Sequence, residues 1–165
     1  MEAYTNMEEN AQNNITGQYI KFKTGNQAFG IDVLNSREIV REEEITSIPD
    51  SPEFVKGVID LREEIVPIVN LQELFNIKQE DIKDVKEKKI IIIKVDGTLI
   101  GLEVNKVDEI IEIDKKTIKD APSITKRYNK DYIQGVANHN DKLFIILDVN
   151  SIFSEEEIKK IKSVK

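Results

Sequence analysis

The single histidine, His139, sits in the stretch Asn138-His139-Asn140-Asp141. A turn histidine beside an aspartate has the makings of a general base. Such catalysis needs a nucleophile or a second proton carrier within reach. No serine, cysteine or further histidine is placed to act with His139. A solvated turn residue is the better reading. Metal ligation by His139 and Asp141 would need further ligands of the right kind. Carboxylates abound, but an acidic chain always offers pairs. Glu42-Glu43-Glu44 reads as a solvated face and Glu155-Glu156-Glu157 as a helix start, not as acid/base dyads. Gly97-Thr98-Leu99-Ile100-Gly101 lacks the lysine of a phosphate-binding loop and reads as a hairpin turn. Lys86 to Lys89 is a short basic cluster, best read as solvated linker.

Composition narrows the classes further. The chain has 165 residues, enough for one ordinary domain or two small subdomains folded together. It contains no cysteine, which excludes disulfide scaffolds, zinc-thiolate sites, iron–sulfur clusters and cysteine nucleophiles. Net charge is −7, from 24 Lys+Arg against 31 Asp+Glu. That balance opposes binding to a phosphate backbone, and no aromatic interleaving for RNA is present. Ile90-Ile91-Ile92-Ile93 is the longest aliphatic run, far short of a membrane span. The start, Met1-Glu2-Ala3-Tyr4, has neither the basic nor the apolar part of a signal peptide. These features lead to the expectation of a soluble, cytoplasmic protein that does not insert into membranes.

The elements that position these residues are mostly strands. Residues 1–16 are polar and aperiodic, and a disordered tail is expected there. Tyr19 to Thr24 alternates, Gly25-Asn26 is a turn signal, and Ala28 to Val33 alternates again, which predicts a hairpin. Glu38-Ile39-Val40 continues in extended form. Ile45 to Ile48 is short and is cut by Pro49 and Pro52. Val58 to Leu61 and Ile65 to Val69 form a second hairpin, joined through Arg62-Glu63-Glu64. Leu71 to Phe75 fits one helical turn, and Gln79 to Lys89 reads as a charged linker. Ser154 with Glu157 three residues on is a capping box, so a helix is expected over 155–165 with Ile158 and Ile161 on its apolar edge.

The second half repeats the first. At an offset of 78, Gly57 meets Gly135, Val58 meets Val136, Ile68 meets Ile146, Asn70 meets Asp148 and Phe75 meets Phe153. At an offset of 71, Gly30 meets Gly101, Val33 meets Val104, Glu38 meets Glu109 and Ile39 meets Ile110. The change of offset puts an insertion between Glu112 and Gln134. This is the signature of a tandem duplication. Five short strands per unit usually close as a small barrel, because closure removes exposed edges. The expected fold is therefore mainly β, with two five-stranded barrel subdomains in tandem, roughly 17–80 and 88–153, plus short helices and the C-terminal helix.

Several stretches resemble CheW-type chemotaxis adaptors. Gln18 to Val33 followed by Glu38-Ile39 is similar to the family's opening. Ile48-Pro49-Asp50-Ser51-Pro52-Glu53-Phe54-Val55-Lys56-Gly57-Val58-Ile59-Asp60-Leu61-Arg62 resembles its central signature, continued by Ile65-Val66-Pro67-Ile68-Val69-Asn70-Leu71. Tyr132 to Val136 and Leu147-Asp148-Val149 match its second half. The likeness runs from about residue 18 to 154, so that 17–154 is read as one CheW-like domain. One departure stands out. The family usually has Asn-Leu-Arg-Gly where this chain has Asp60-Leu61-Arg62-Glu63, so the turn after Arg62 is expected to avoid a glycine-only conformation.

The resemblance implies two intertwined SH3-like barrels, no catalytic activity and no cofactor or metal. It implies two partners, the cytoplasmic tip of a chemoreceptor and the regulatory domain of a CheA-type histidine kinase, with recruitment to membrane-associated receptor arrays. It also implies a receptor-binding set of Ile31, Val33, Ser36, Glu38, Gly57 and Arg62, and a kinase-binding pair, Gly135 and Val136. An Arg62–Glu38 pair would be geometrically specific and would orient a loop. Gly57 reads either as a point of close approach by a partner or as a turn glycine. A second function class stays open from the residues alone: a small β-barrel hydrolase using carboxylates and His139.

Overall fold

The computed structural model describes residues 16–41, 44–77, 88–120 and 132–164. Residues 1–15 of the expected tail, most of the expected linker and Pro122 lie outside them. Thr16 already belongs to a strand, and the linker has ended by Lys89, which starts another.

The described strands are β1 (Thr16–Thr24), β2 (Gln27–Asp32), β3 (Ser36–Arg41), β4 (Val55–Leu61), β5 (Glu64–Asn70), β6 (Lys89–Val95), β7 (Thr98–Val104), β8 (Lys106–Asp114), β9 (Ile133–His139) and β10 (Lys142–Leu147). Helix α1 (Leu71–Leu74) follows β5, and α2 (Glu155–Ser163) follows β10 after a 3-10 turn. Asn70 caps α1 by accepting from the Glu73 N–H. Ser154 and Glu157 form the expected capping box on α2, and Ile161 is buried in the core. Removing that cap with Ser154→Ala is expected to lower stability by about 1 kcal/mol, read as a fall in the urea midpoint.

The mainly-β architecture with two five-stranded sheets is as expected, but the division into contiguous halves is not. One sheet has the order β8-β1-β2-β10-β9 and the other β3-β6-β7-β5-β4. Each sheet thus joins the first hairpin of one half to the last three strands of the other. The two orders are identical once each strand is replaced by its duplicate. The boundaries 17–80 and 88–153 mark sequence repeats, not sheets.

Local chemistry at the crossings redirects the chain. After β2, Asp32 accepts from the Leu34 N–H at 2.9 Å and caps a 3-10 turn, Val33–Asn35, that carries β3 to the other sheet. After β7, Asn105 does the corresponding work. Its N–H donates to the Lys23 carbonyl at 2.9 Å, and its Oδ1 accepts from the Gly25 N–H at 2.7 Å. The corner is thereby pinned to the β1–β2 turn of the opposite sheet.

Both faces of each sheet are covered at its central strands, and the four consecutive isoleucines record it. Ile90 and Ile92 point into a cluster with Ile59, Val66 and Ile68 inside their own sheet. Ile91 and Ile93 point the other way, into a larger cluster shared with Phe22, Phe29 and Leu147 of the other sheet. All four are fully buried, each contributing roughly 1.5–3 kcal/mol. Phe22, Phe29, Phe75 and Tyr132 form a run of ring contacts through the shared core, with centroids 4.5–5.8 Å apart.

One pair of duplicate glycines occupies tight approaches between strands. A Cβ at Gly30 would lie 2.8 Å from the Phe144 ring, and one at its duplicate Gly101 would lie 2.5 Å from Ile68 Cδ1. These glycines sit where the parallel junctions β2–β10 and β5–β7 form. The duplication keeps glycine there because neighbouring side chains already fill the space.

Candidate functional site

In the sheet β3-β6-β7-β5-β4, β3 and β4 are opposite edges. The chain leaving β3 nevertheless reaches β4. Thr46 and Val58 exchange backbone hydrogen bonds of 2.9 Å in both directions. Near the hairpin end of the same seam, Arg62 Nη2 donates to Glu38 Oε2 at 3.0 Å. The pair expected from the sequence is therefore formed, and it joins two edges of one sheet. Arg62 is 79% exposed and Glu38 27%, so the pair adds at most about 1 kcal/mol to folding. Its value lies in fixing where a guanidinium points. Around it is a cleft lined by Arg37, Leu61, Lys94 and Leu99. The flanking strands expose Ile39 and Ile65.

The turn carrying Arg62 has an uncommon backbone. Arg62 and Glu63 both take left-handed backbone, at φ 51° and 70°. Glu63 thus stays out of glycine-only backbone but takes the left-handed region, which favours glycine, asparagine and aspartate. Asp60 helps hold it there, accepting from the Glu63 N–H at 3.0 Å.

Other residues of the expected sets fall elsewhere. Ile31 is fully buried in the shared core and presents nothing to a partner. Gly57 is buried against the Thr46 carbonyl, so its role is to let the seam close. Gly135 is likewise buried, with a would-be Cβ 2.6 Å from Ile118 Cγ2, and Val136 is bridged to Lys119. Neither offers a contact surface for a kinase. Val33 packs half-buried against the core, and the Ser36 hydroxyl donates to its carbonyl at 2.8 Å. These two shape the crossing on which a neighbour is displayed. That neighbour is Leu34, 89% exposed. A second cleft, lined by Gly17, Asp32, Val33, Leu34, Glu112 and Lys115, opens beside it.

Leu34 was not singled out in the sequence, because one leucine in a break between alternating runs looks like any loop residue. Ile110 and Leu143, 57% and 63% exposed, were missed in the same way. A signal existed: they are the duplicates of Ile39 and Ile65. The two sheets thus expose aliphatic side chains at equivalent positions.

His139 ends β9, and its Nδ1 has no hydrogen-bond partner among the described residues. No carboxylate there fixes its tautomer. Burial and the nearby Asp32 carboxylate push the Tyr19 phenol above its ordinary value, which keeps it a neutral core residue. The described residues contain no group of three or more metal-ligating side chains, nor a helix long and apolar enough to cross a membrane.

The family model described as CheW-like domain matches residues 18–157. The chain belongs to the CheW-like domain family. Among its relatives is the chemotaxis protein CheW of Helicobacter pylori, 30% identical over 139 residues, covering 84% of this chain and 82% of the relative. The chemotaxis protein CheW of Treponema pallidum is 27% identical and covers 89% of this chain and 88% of its own. The crystal structure of the scaffolding protein TtCheW from Thermoanaerobacter tengcongensis superposes with a TM-score of 0.76 at 32% identity, over 84% of this chain and 88% of that one. As a CheW-like protein, this chain is a non-enzymatic chemotaxis scaffold. The hydrolase reading of His139 is thereby set aside.

Proposed function

We propose that this CheW-like protein couples the cytoplasmic tip of a chemoreceptor to a CheA-type histidine kinase, by binding both and turning over neither. The observation that carries this reading is the pair of equivalent surfaces. An adaptor needs two docking faces on one rigid body, and the duplicated fold supplies them. The first face is built around the Arg62–Glu38 cleft, with Ile39 and Ile65 exposed on β3 and β5, Ile39 on the opposite side of its strand from Glu38, and with Leu34 at the crossing that leads into β3. The other carries Ile110 and Leu143, with Glu109 and Asn140 in the places of Glu38 and Arg62. Apolar residues rimmed by charge suit protein docking. We assign the first face to the receptor tip, whose helices would lie against the exposed aliphatic side chains. The second is assigned to the kinase's regulatory domain.

Arg62→Ala separates this reading from a purely structural one. The exposed pair contributes little to folding, so the urea midpoint should shift by no more than the equivalent of about 1 kcal/mol. Receptor binding should weaken by about tenfold or more, as for an arginine anchor at an interface. Receptor-stimulated kinase phosphorylation in a reconstituted mixture should fall with it, while direct kinase binding should persist. Loss of binding only in proportion to lost folded protein would refute the assignment.

A further inference from the structure

Three two-residue hairpins in this protein share one turn geometry, with both central residues left-handed. They are Arg62-Glu63 between β4 and β5, Asp96-Gly97 between β6 and β7, and Asn140-Asp141 between β9 and β10. Their φ angles agree closely, at 51° and 70°, 50° and 75°, and 53° and 63°. That backbone favours Asn, Asp and Gly, which suffer least from a positive φ. Two of the three turns use those residues. The third places an arginine and a glutamate, long side chains that gain nothing from the conformation.

Strain kept at one of three equivalent turns points to a role for the side chains it carries. Arg62 is accounted for by Glu38. Glu63 is not: its N–H is held by Asp60, but its exposed carboxylate has no partner among the described residues. Negative charge alone does not explain the choice, because aspartate supplies it with less strain, as Asp96 and Asp141 do in the sister turns. What glutamate adds is reach. With Arg62 neutralised, the apex is left with the carboxylates of Glu63 and Glu64 beside exposed Ile65.

We propose that Glu63 is a specificity-determining residue of the receptor-docking face, its carboxylate meeting a lysine or arginine of the receptor tip. This rests on the assignment of that face given above. Glu63 selects among receptor tips by charge, whereas Arg62 and the aliphatic residues supply the common anchor.

The test is a titration of the full-length protein with a soluble fragment of a chemoreceptor cytoplasmic tip from the same organism, at low and high salt. Glu63→Gly relieves the backbone, so its urea midpoint should rise. Its receptor affinity should nonetheless fall by about threefold to fivefold at low salt, with a shallower salt dependence. Glu63→Lys should weaken binding by more than about tenfold, and a Lys→Glu or Arg→Glu change in the receptor tip should restore it. Wild-type affinity in both variants, alongside a weakened Arg62→Ala, would overturn the role of Glu63 and leave the docking face standing. Wild-type affinity in all three would remove the docking face as well.

Discussion

Gly57→Ala is expected to lower stability by about 3 kcal/mol or more, and to do so without removing any contact. A methyl group at this position would collide with the Thr46 carbonyl oxygen and would stand 2.8 Å from Ile45 Cγ2. The backbone cannot give way easily. Gly57 has a φ of 155°, which L side chains rarely adopt, and it follows a bulge in the pairing of β4 with β5. Thr46 is held to Val58 by the paired hydrogen bonds that close the seam. Relief requires opening that bridge, at the seam that Glu38 and Arg62 also join. The duplicate, Gly135→Ala, should be milder. It has no positive φ, and the backbone a methyl group would meet there, the Lys119 carbonyl oxygen at 2.9 Å, stands farther off than the Thr46 oxygen does at Gly57, with Ile118 Cγ2 at 2.6 Å. Urea unfolding of the two variants should therefore give unequal shifts, the larger at Gly57. Equal shifts would mean that backbone collision at Thr46 is not what sets the cost.

The second large effect is expected at a buried carboxylate. Glu103, on β7, is only 3% exposed. Its oxygens accept from Lys56 Nζ at 2.8 and 3.0 Å and from Asn70 Nδ2 at 3.2 Å, and Lys88 Nζ stands 3.7 Å away. These partners come from β4, the end of β5 and the residue just before β6. One acid therefore ties together three strands of a sheet and, through Asn70, the cap of α1. Lys56 reaches it because the bulge beside Gly57 re-aims the side chain. Lys56→Met should cost about 2 kcal/mol: the carboxylate stays buried without its nearest cation, a loss softened by Lys88 and by the partial exposure of the pair. Lys56→Met with Glu103→Leu should recover at least half of that loss, since no buried carboxylate is left unpaired and the partly exposed Lys88 can turn its ammonium to water. Urea unfolding of the two singles and the double checks this. An additive double mutant would show that the two residues are not coupled.

Glu103 also shows where pattern reading stops. In Leu102-Glu103-Val104 it looks like the solvated member of an alternating strand. Alternation says that Glu103 shares a face with neither neighbour; it does not say that its face meets water. Here both faces of the sheet are covered, and lysines from other strands make the burial tolerable.

Much else was legible in the residues. The duplication, the alternation, the Ser154–Glu157 cap and the turn chemistry at Gly25 are local or periodic features, and each fixes a local structure whatever surrounds it. They determined a mainly-β chain of two five-strand repeats, and the long central signature determined the family. The Arg62–Glu38 pair was likewise anticipated, on resemblance. Tertiary structure alone decided which strands share a sheet, because backbone hydrogen bonds carry no address and a period of two marks a face, never a partner. The exchange of hairpins between halves followed from that, and with it the burial of Ile31 in the shared core, while Gly57, Gly135 and Val136 were buried by the segments at Thr46 and Lys119 that fold back on them. Leu34, Ile110 and Leu143 were left at the surface for the same reason: exposure is a property of what packs alongside, and those neighbours come from the other half of the chain.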